Sequence, residues 1–578
     1  MNSIRKSTLA VLLSLFALQG GAKTVNHSLH VVSTGDIHGS WFDESYDGAR
    51  KRTSLIAVSK MVSNLRASVG EDNVLLLDAG DALQGDQCAY YYNYVDTLTP
   101  HLFPRMAAYM KYDALVVGNH DIETAHPVYD RIARDLKALG IPYLAGNAIK
   151  PDGKPYFDEY RVFNRAGLKV LVLGYTNPNI KAWLAEEKWS GMTFESLVPL
   201  VKERITAIQK KEKPQVTILV IHSGSGSGDG SVLESQGLDL AGTLDCVDLI
   251  ISSHDHAPLS KDWGSRSMMN SGANCRNVGH AVIDVETSGK KVVKKSVLAE
   301  VRKIESRYAD KNMREAFSKD FEAVRAFTLR PIGNLASDIR IRDAYAGPSF
   351  IMNLIHTVQL SVPEAKLSFS APLTFDSTIR AGQLLYRDMF TIYKYENELN
   401  VVNLTGREIK DYLEYSYDQW IVNSPDHVLK ICERPDPRTG AARWSFKERS
   451  YNFDSCAGLI YTVDVTKPRG SRVSIESLAD GSPLEMDALY PVAMTSYRAN
   501  GGGGILPKGA GVNAEKMQER LVAAYPAIRD LIYEFILKAG TLSPGSVSDP
   551  KVIGTWKFIP EDRVTPLMES DFGLLFTR

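Results

Sequence analysis

Leu29-His30-Val31-Val32-Ser33-Thr34-Gly35-Asp36-Ile37-His38-Gly39 is the stretch whose reading decides the fold. A short β-branched apolar run reads as a strand, and it ends on a glycine, a carboxylate and an imidazole. The same design recurs through the first half of the chain. Val74-Leu75-Leu76-Leu77 runs into Asp78-Ala79-Gly80-Asp81, and Ala114-Leu115-Val116-Val117 into Gly118-Asn119-His120-Asp121. Val216 to Ile221 leads to His222-Ser223-Gly224, and Val247 to Ile251 to Ser253-His254-Asp255-His256. Loops at the carboxyl ends of strands in an open α/β sheet converge on one crevice. Oxygen and nitrogen donors delivered there suit zinc, manganese or iron. The alternation Asp36-x-His38 places both side chains on one side of an extended segment, and His254-x-His256 repeats it. Any one fragment alone would be a turn or a surface pair. A set of helix caps and turns would not need histidines at 38, 222, 254 and 256.

Between these strands lie helical stretches such as Leu55 to Ala67, and Val170-Leu171-Val172-Leu173 adds another strand. Strand–helix alternation implies an α/β layered fold with both sheet faces covered. At 578 residues the chain exceeds what one hydrophobic core supports, so two domains are expected. We expect a signal peptide over 1–22, a metal-bearing domain over 23–303, a linker helix over 304–330 and a second domain over 331–578. The second half mixes helices with strands such as Gly458 to Val465.

Charge narrows the partners. The formal net charge is −1, which gives no broad basic field, so polymeric nucleic acid is not an expected partner. Met1 to Ala22 has Arg5 and Lys6 ahead of an apolar run, Leu9 to Leu18, then small residues at Gly20-Gly21-Ala22. That is a secretory signal pattern, and the run is too short to span a bilayer. A periplasmic or secreted protein is expected, with no membrane anchor after cleavage. The five cysteines show no CxxC spacing, which argues against a thiolate zinc site. Cys432 with Cys456 is the pairing expected in an oxidising compartment.

The order D-x-H, G-D, G-N-H-D, H and H-x-H resembles the calcineurin-like metallophosphoesterase superfamily. Within it the chain is similar to the two-domain 5′-nucleotidase family, including its periplasmic branch of 2′,3′-cyclic-nucleotide 2′-phosphodiesterase/3′-nucleotidases. The resemblance implies an N-terminal layered α/β domain, a β-sandwich flanked by helices, joined by a helix to a C-terminal α+β substrate-binding domain. It implies two divalent metal ions, zinc, manganese or similar. One would take Asp36, His38, Asp81 and His256, the other Asp81, Asn119, His222 and His254. It also implies hydrolysis by a metal-activated hydroxide, with His120 stabilising charge or protonating the leaving group. Glu123 is favoured over the adjacent Asp121 to orient that histidine.

Two segments of the second half carry the substrate reading: Tyr451-Asn452-Phe453-Asp454 and Thr495 to Gly504. Two aromatic rings can sandwich a base at about 1–3 kcal/mol each. Both segments resemble the family's base-clamping positions, with Tyr451 or Phe453 on one side and Tyr497 on the other. Gly501 and Gly502 would let the backbone approach the sugar, and Asn119 and Asn500 are further candidate substrate contacts. Leu367 to Leu373 lacks the Asn and Arg of the 5′-nucleotidase substrate loop, and Gly503 stands where some members carry an acid. Both departures rank hydrolysis of 2′,3′-cyclic nucleotides and 3′-nucleotides above 5′-nucleotidase or UDP-sugar hydrolase activity. A nucleotide-binding receptor with a structural metal site is the alternative from another class.

Overall fold

The computed structural model describes residues 24–48, 53–305, 307–435 and 441–576. The expected signal peptide, 1–22, lies outside the described residues.

Two six-stranded sheets form the first half. The first runs in the order Lys291–Lys303, Asn277–Ser288, Thr24–Thr34, Val74–Asp78, Ala114–Val116, Tyr143–Leu144. The second runs Leu259–Asp262, Ser267–Asn270, Leu249–Ser252, Val216–Ile221, Leu168–Tyr175, Tyr160–Arg165. Period-two side-chain alternation explains how they stack. Leu29, Val31, Leu75 and Leu77 of the first sheet share one apolar cluster with Val170, Val172, Ile218 and Val220 of the second. The alternate residues Val32, Leu76 and Leu115 face outward and are covered by helices including Leu55–Val69 and Leu102–Met110. Leu171, Leu219 and Ile250 on the second sheet pack under Leu197–Glu212. The result is a β-sandwich flanked by helices. Thr24–Thr34, Val74–Asp78 and Ala114–Val116 are mutually parallel, so their carboxyl ends open at the same edge.

The segment expected as one linker helix is two, Lys311–Ala316 and Ser318–Thr328, broken at Phe317. Met313, Phe317 and Val324 are buried in the first half's core, which fixes these helices to it. Arg105 clamps Asp320 through both carboxylate oxygens at 2.6 and 3.0 Å, and Tyr92 donates to the same group.

The second half is built on a five-stranded sheet ordered Ser455–Ala457, Leu367–Ser370, Leu489–Thr495, Glu398–Thr405, Leu521–Ala527. Val402 and Val492 face one apolar cluster, Val401 and Ala493 another, so both faces are buried. The expected Cys432–Cys456 disulfide is not formed: Cys456 is buried, its thiol directed at the Ala457 carbonyl, and both cysteines are free. The halves meet through polar contacts, with Tyr90 donating to Asp530 at 2.9 Å and Lys188 paired to Glu398 at 2.8 Å, and through the Tyr90 ring packed against Tyr386 and Phe390. Among the described residues, no helix is long and apolar enough to cross a membrane.

Candidate metal centre and substrate cleft

The strand-end residues leave the extended conformation before they act. Asp36, His38, Asp81, His254 and His256 all hold positive φ, between 48° and 86°. Side chains of non-glycine residues resist that region, and such strain concentrates at functional sites. Asp36 and His38 therefore converge through a left-handed turn, not through strand alternation as expected. The turn is held by Asp36 N–H donating to the Gly80 carbonyl (2.8 Å) and His38 N–H to the Asp81 carbonyl (2.9 Å). At Gly118 an added Cβ would lie 2.0 Å from Asp81 Oδ1, so no other residue fits there.

Two clusters result: Asp36, His38 and His256, and beside them Asp81, His222 and His254. Their hydrogen bonding tests whether a cation fits. His38 Nδ1 lies 3.0 Å from the Gln84 carbonyl, and His222 Nδ1 lies 2.8 Å from the Ala79 carbonyl. A carbonyl only accepts, so each Nδ1 carries a proton and each ring turns its Nε2 inward. His38 Nε2 meets His256 Nε2 at 3.0 Å, and Asp36 Oδ1 is buried with no hydrogen-bond partner. His222 Nε2 faces Asp81 Oδ2 at 3.1 Å and Asn119 Oδ1 at 3.0 Å, and His254 Nδ1 lies 2.9 Å from the same Asn119 oxygen. A divalent cation suits nitrogen and oxygen donors crowded this way, the unpartnered Asp36 Oδ1 among them. Burial lowers His38 to about 4, which keeps its lone pair free. Burial opposes charge on His222 too, but the Asp81 carboxylate outweighs it and raises the imidazole to about 9. Without metal a proton takes the cation's place there, and metal binding must displace it.

His120 is the second residue of the helix Asn119–Glu123 and stands edge-on to His38 with ring centroids 5.4 Å apart. Glu123 Oε2 lies 2.5 Å from His120 Nδ1. Asp121 is occupied elsewhere: its carboxylate accepts the amides of Gly118, Asp81, Ala82 and Leu83 and so ties the two loops together. Burial disfavours charge on His120, yet Asp81 and Glu123 raise it to about 10.

In the second half Tyr451 and Tyr497 are half-buried, while Phe453 is 0% exposed and stacked on Trp420 at 5.5 Å. Phe453 is a core residue and cannot clamp a base, because the turn Ser450–Asn452 sends it inward. Gly502 lies against the Tyr497 ring, where a Cβ would be 2.5 Å from it. Asn500 Nδ2 donates to the Trp183 carbonyl of the first half at 3.0 Å. Sequence reasoning missed two residues. Arg498, 4% exposed, grips both oxygens of Asp454 at 2.9 Å and donates to the carbonyls of Tyr451 (2.8 Å) and Gly502 (2.6 Å). It thereby fixes both aromatic segments. Trp183 stacks on His254 at 5.3 Å with 20° between the rings.

The calcineurin-like phosphoesterase family model matches residues 29–258, and the 5′-nucleotidase C-terminal domain model matches 328–508. The chain belongs to the two-domain 5′-nucleotidase family of calcineurin-like phosphoesterases. It is 24% identical, over 97% of its length, to a 2′,3′-cyclic-nucleotide 2′-phosphodiesterase/3′-nucleotidase of Yersinia enterocolitica, covering 93% of that protein. It is also 24% identical to the trifunctional nucleotide phosphoesterase protein YfkN of Bacillus subtilis, over 94% of this chain but spanning 40% of that longer protein. In fold it matches a solved 5′-nucleotidase precursor from Thermus thermophilus at TM-score 0.59 and 19% identity, covering 92% of this chain and 100% of that one. Members of this family are metal-dependent phosphoric ester hydrolases, and this chain is one by descent.

Proposed function

We propose that this chain is a secreted nucleotide phosphohydrolase that converts 2′,3′-cyclic nucleotides and 3′-nucleotides to nucleoside and phosphate. The observation that carries the chemistry is the convergence of imidazole, amide and carboxylate donors from five loops. Asp36, His38, Asp81 and His256 would hold one divalent ion, and Asp81, Asn119, His222 and His254 the other. When bound, such a pair supplies Lewis acidity that polarises the phosphoryl group and lowers the pKa of water.

The chain's own residues do the rest. Glu123 occupies His120 Nδ1, so Nε2 is the nitrogen left to face the leaving oxygen and give it a proton. The Asn119 amide oxygen already points into the second cluster, and its nitrogen would be the donor available to the substrate. Tyr451 and Tyr497 would sandwich the base, held in register by Arg498 and the turn at Gly502. The signal pattern of Met1 to Ala22 supports export to the periplasm or medium.

The test is a side-by-side assay of phosphate release from 2′,3′-cAMP, 3′-AMP, 5′-AMP and UDP-glucose, with metal analysis of the same sample. Preference for the first two supports the proposal. Preference for 5′-AMP or UDP-glucose reassigns the substrate, and nucleotide binding without phosphate release supports a receptor instead.

A further inference from the structure

Trp183 ends the short helix Ile180–Trp183, in a segment that carries no motif of the metal centre. Its indole lies nearly parallel to the His254 imidazole, 5.3 Å away. His222 stands edge-on to the same imidazole at 5.4 Å. A ring with its Nδ1 at the Asn119 amide has one remaining freedom, rotation about its own bonds, and the indole blocks it. An imidazole that holds a divalent cation is electron-poor, so an indole face stabilises it more than it does the free ring.

The segment bearing Trp183 is braced at both ends. Asn177 is fully buried and donates to the Glu234 carbonyl at 3.0 Å. Further on, Trp189 Nε1 donates to the Leu184 carbonyl (2.9 Å), and the Tyr129 hydroxyl to the Lys188 carbonyl (2.9 Å). From across the cleft, Asn500 donates to the Trp183 carbonyl at 3.0 Å, and Glu398 pairs with Lys188 at 2.8 Å. Asn500 is the residue that introduces the glycine loop, where Gly501 takes φ 87°. One residue of the first half is therefore touched on its ring by a candidate metal ligand and on its backbone by the substrate loop of the second half.

We propose that Trp183 is a positioning residue that orients His254 and links cation affinity at the second cluster to docking of the Asn500–Gly504 loop. This rests on the metal reading of the proposed function. Outer partners of metal ligands change affinity by about 10- to 100-fold when removed. Coupling between distinct sites is typically at least about fivefold.

The test is calorimetric titration of the chelator-stripped full chain with Mn²⁺, on wild type, W183A, W183F and N500A, with thermal melts to establish folding. Expected is loss of about 10-fold or more in affinity for one of two ions in W183A. W183F, which keeps an aromatic face, should stay within about threefold of wild type. N500A, which touches no metal ligand, should lose about fivefold at the same ion. Wild-type affinity in N500A, or a W183F as weak as W183A, overturns the inference while leaving the metal reading intact. A wild-type chain that binds no Mn²⁺ overturns the metal reading, and this inference with it.

Discussion

Asp81 carries the greatest weight of any single residue. Its carboxylate faces His222 on one side and accepts the His120 amide at 2.8 Å on the other. Asp81→Asn keeps the shape and removes the charge that, in the proposed metal pair, both ions would share. Turnover should be abolished and both ions weakened; metal content and phosphate release read the two effects separately. His120 is different, because it touches the clusters without belonging to either. His120→Ala should retain both ions and slow phosphate release by roughly 10²–10⁴-fold. Full activity in that variant would remove His120 from the reaction. Glu123→Gln keeps a hydrogen bond to Nδ1 but not the charge, so its rate should fall between wild type and His120→Ala.

Much of the site was legible at the scale of the element, and the illegible parts have definable causes. Apolar runs ending in Asp, Asn and His at 36, 81, 119, 222 and 254 announce themselves, because buried strands leave little else polar in sequence. The turn that brings Asp36 to His38 does not, since non-glycine residues seldom take positive φ and nothing local signals it. Tyr451 and Phe453 look equivalent in sequence, and a single turn between them sends one to the cleft and the other to the core. Arg498 was readable only as a loop residue, because its value lies in contacts with Tyr451 and Asp454, more than forty positions away. Removing one partner of a buried ion pair costs about 3–5 kcal/mol. Arg498→Ala should therefore lower stability by that order and raise KM for nucleotides more than it lowers kcat. Arg498→Lys should not restore either, since an ammonium cannot match the bidentate grip. Rescue by lysine in denaturation and steady-state assays would contradict this account.

At the scale of the whole molecule, the second half contains a buried pH-sensitive group remote from the metal clusters. His356 lies between Ser368 (2.8 Å) and Ser455 (3.3 Å), and burial lowers it to about 3. Unfolded, the same imidazole takes a proton near 6.5. The unfolded state thus binds more protons between these values, so this stability is present above 6.5 and lost as pH falls toward 3. The slope is about 1.4 kcal/mol per pH unit. In denaturant titrations His356→Gln should be less stable at about pH 7.5, with the gap to wild type closing by about that amount between roughly pH 6 and 5; a constant gap would refute it. The two halves are joined by polar contacts at Tyr90, Lys188 and Asn500 and by the Tyr90 ring packed against Tyr386 and Phe390. All of this depends on five loops gathering around cations. Crystallographic anomalous scattering from manganese-loaded protein measures that directly. The account expects two peaks about 3.5–4 Å apart with Asp81 between them. No peak at these side chains, or a single ion out of reach of Asp81, would contradict it.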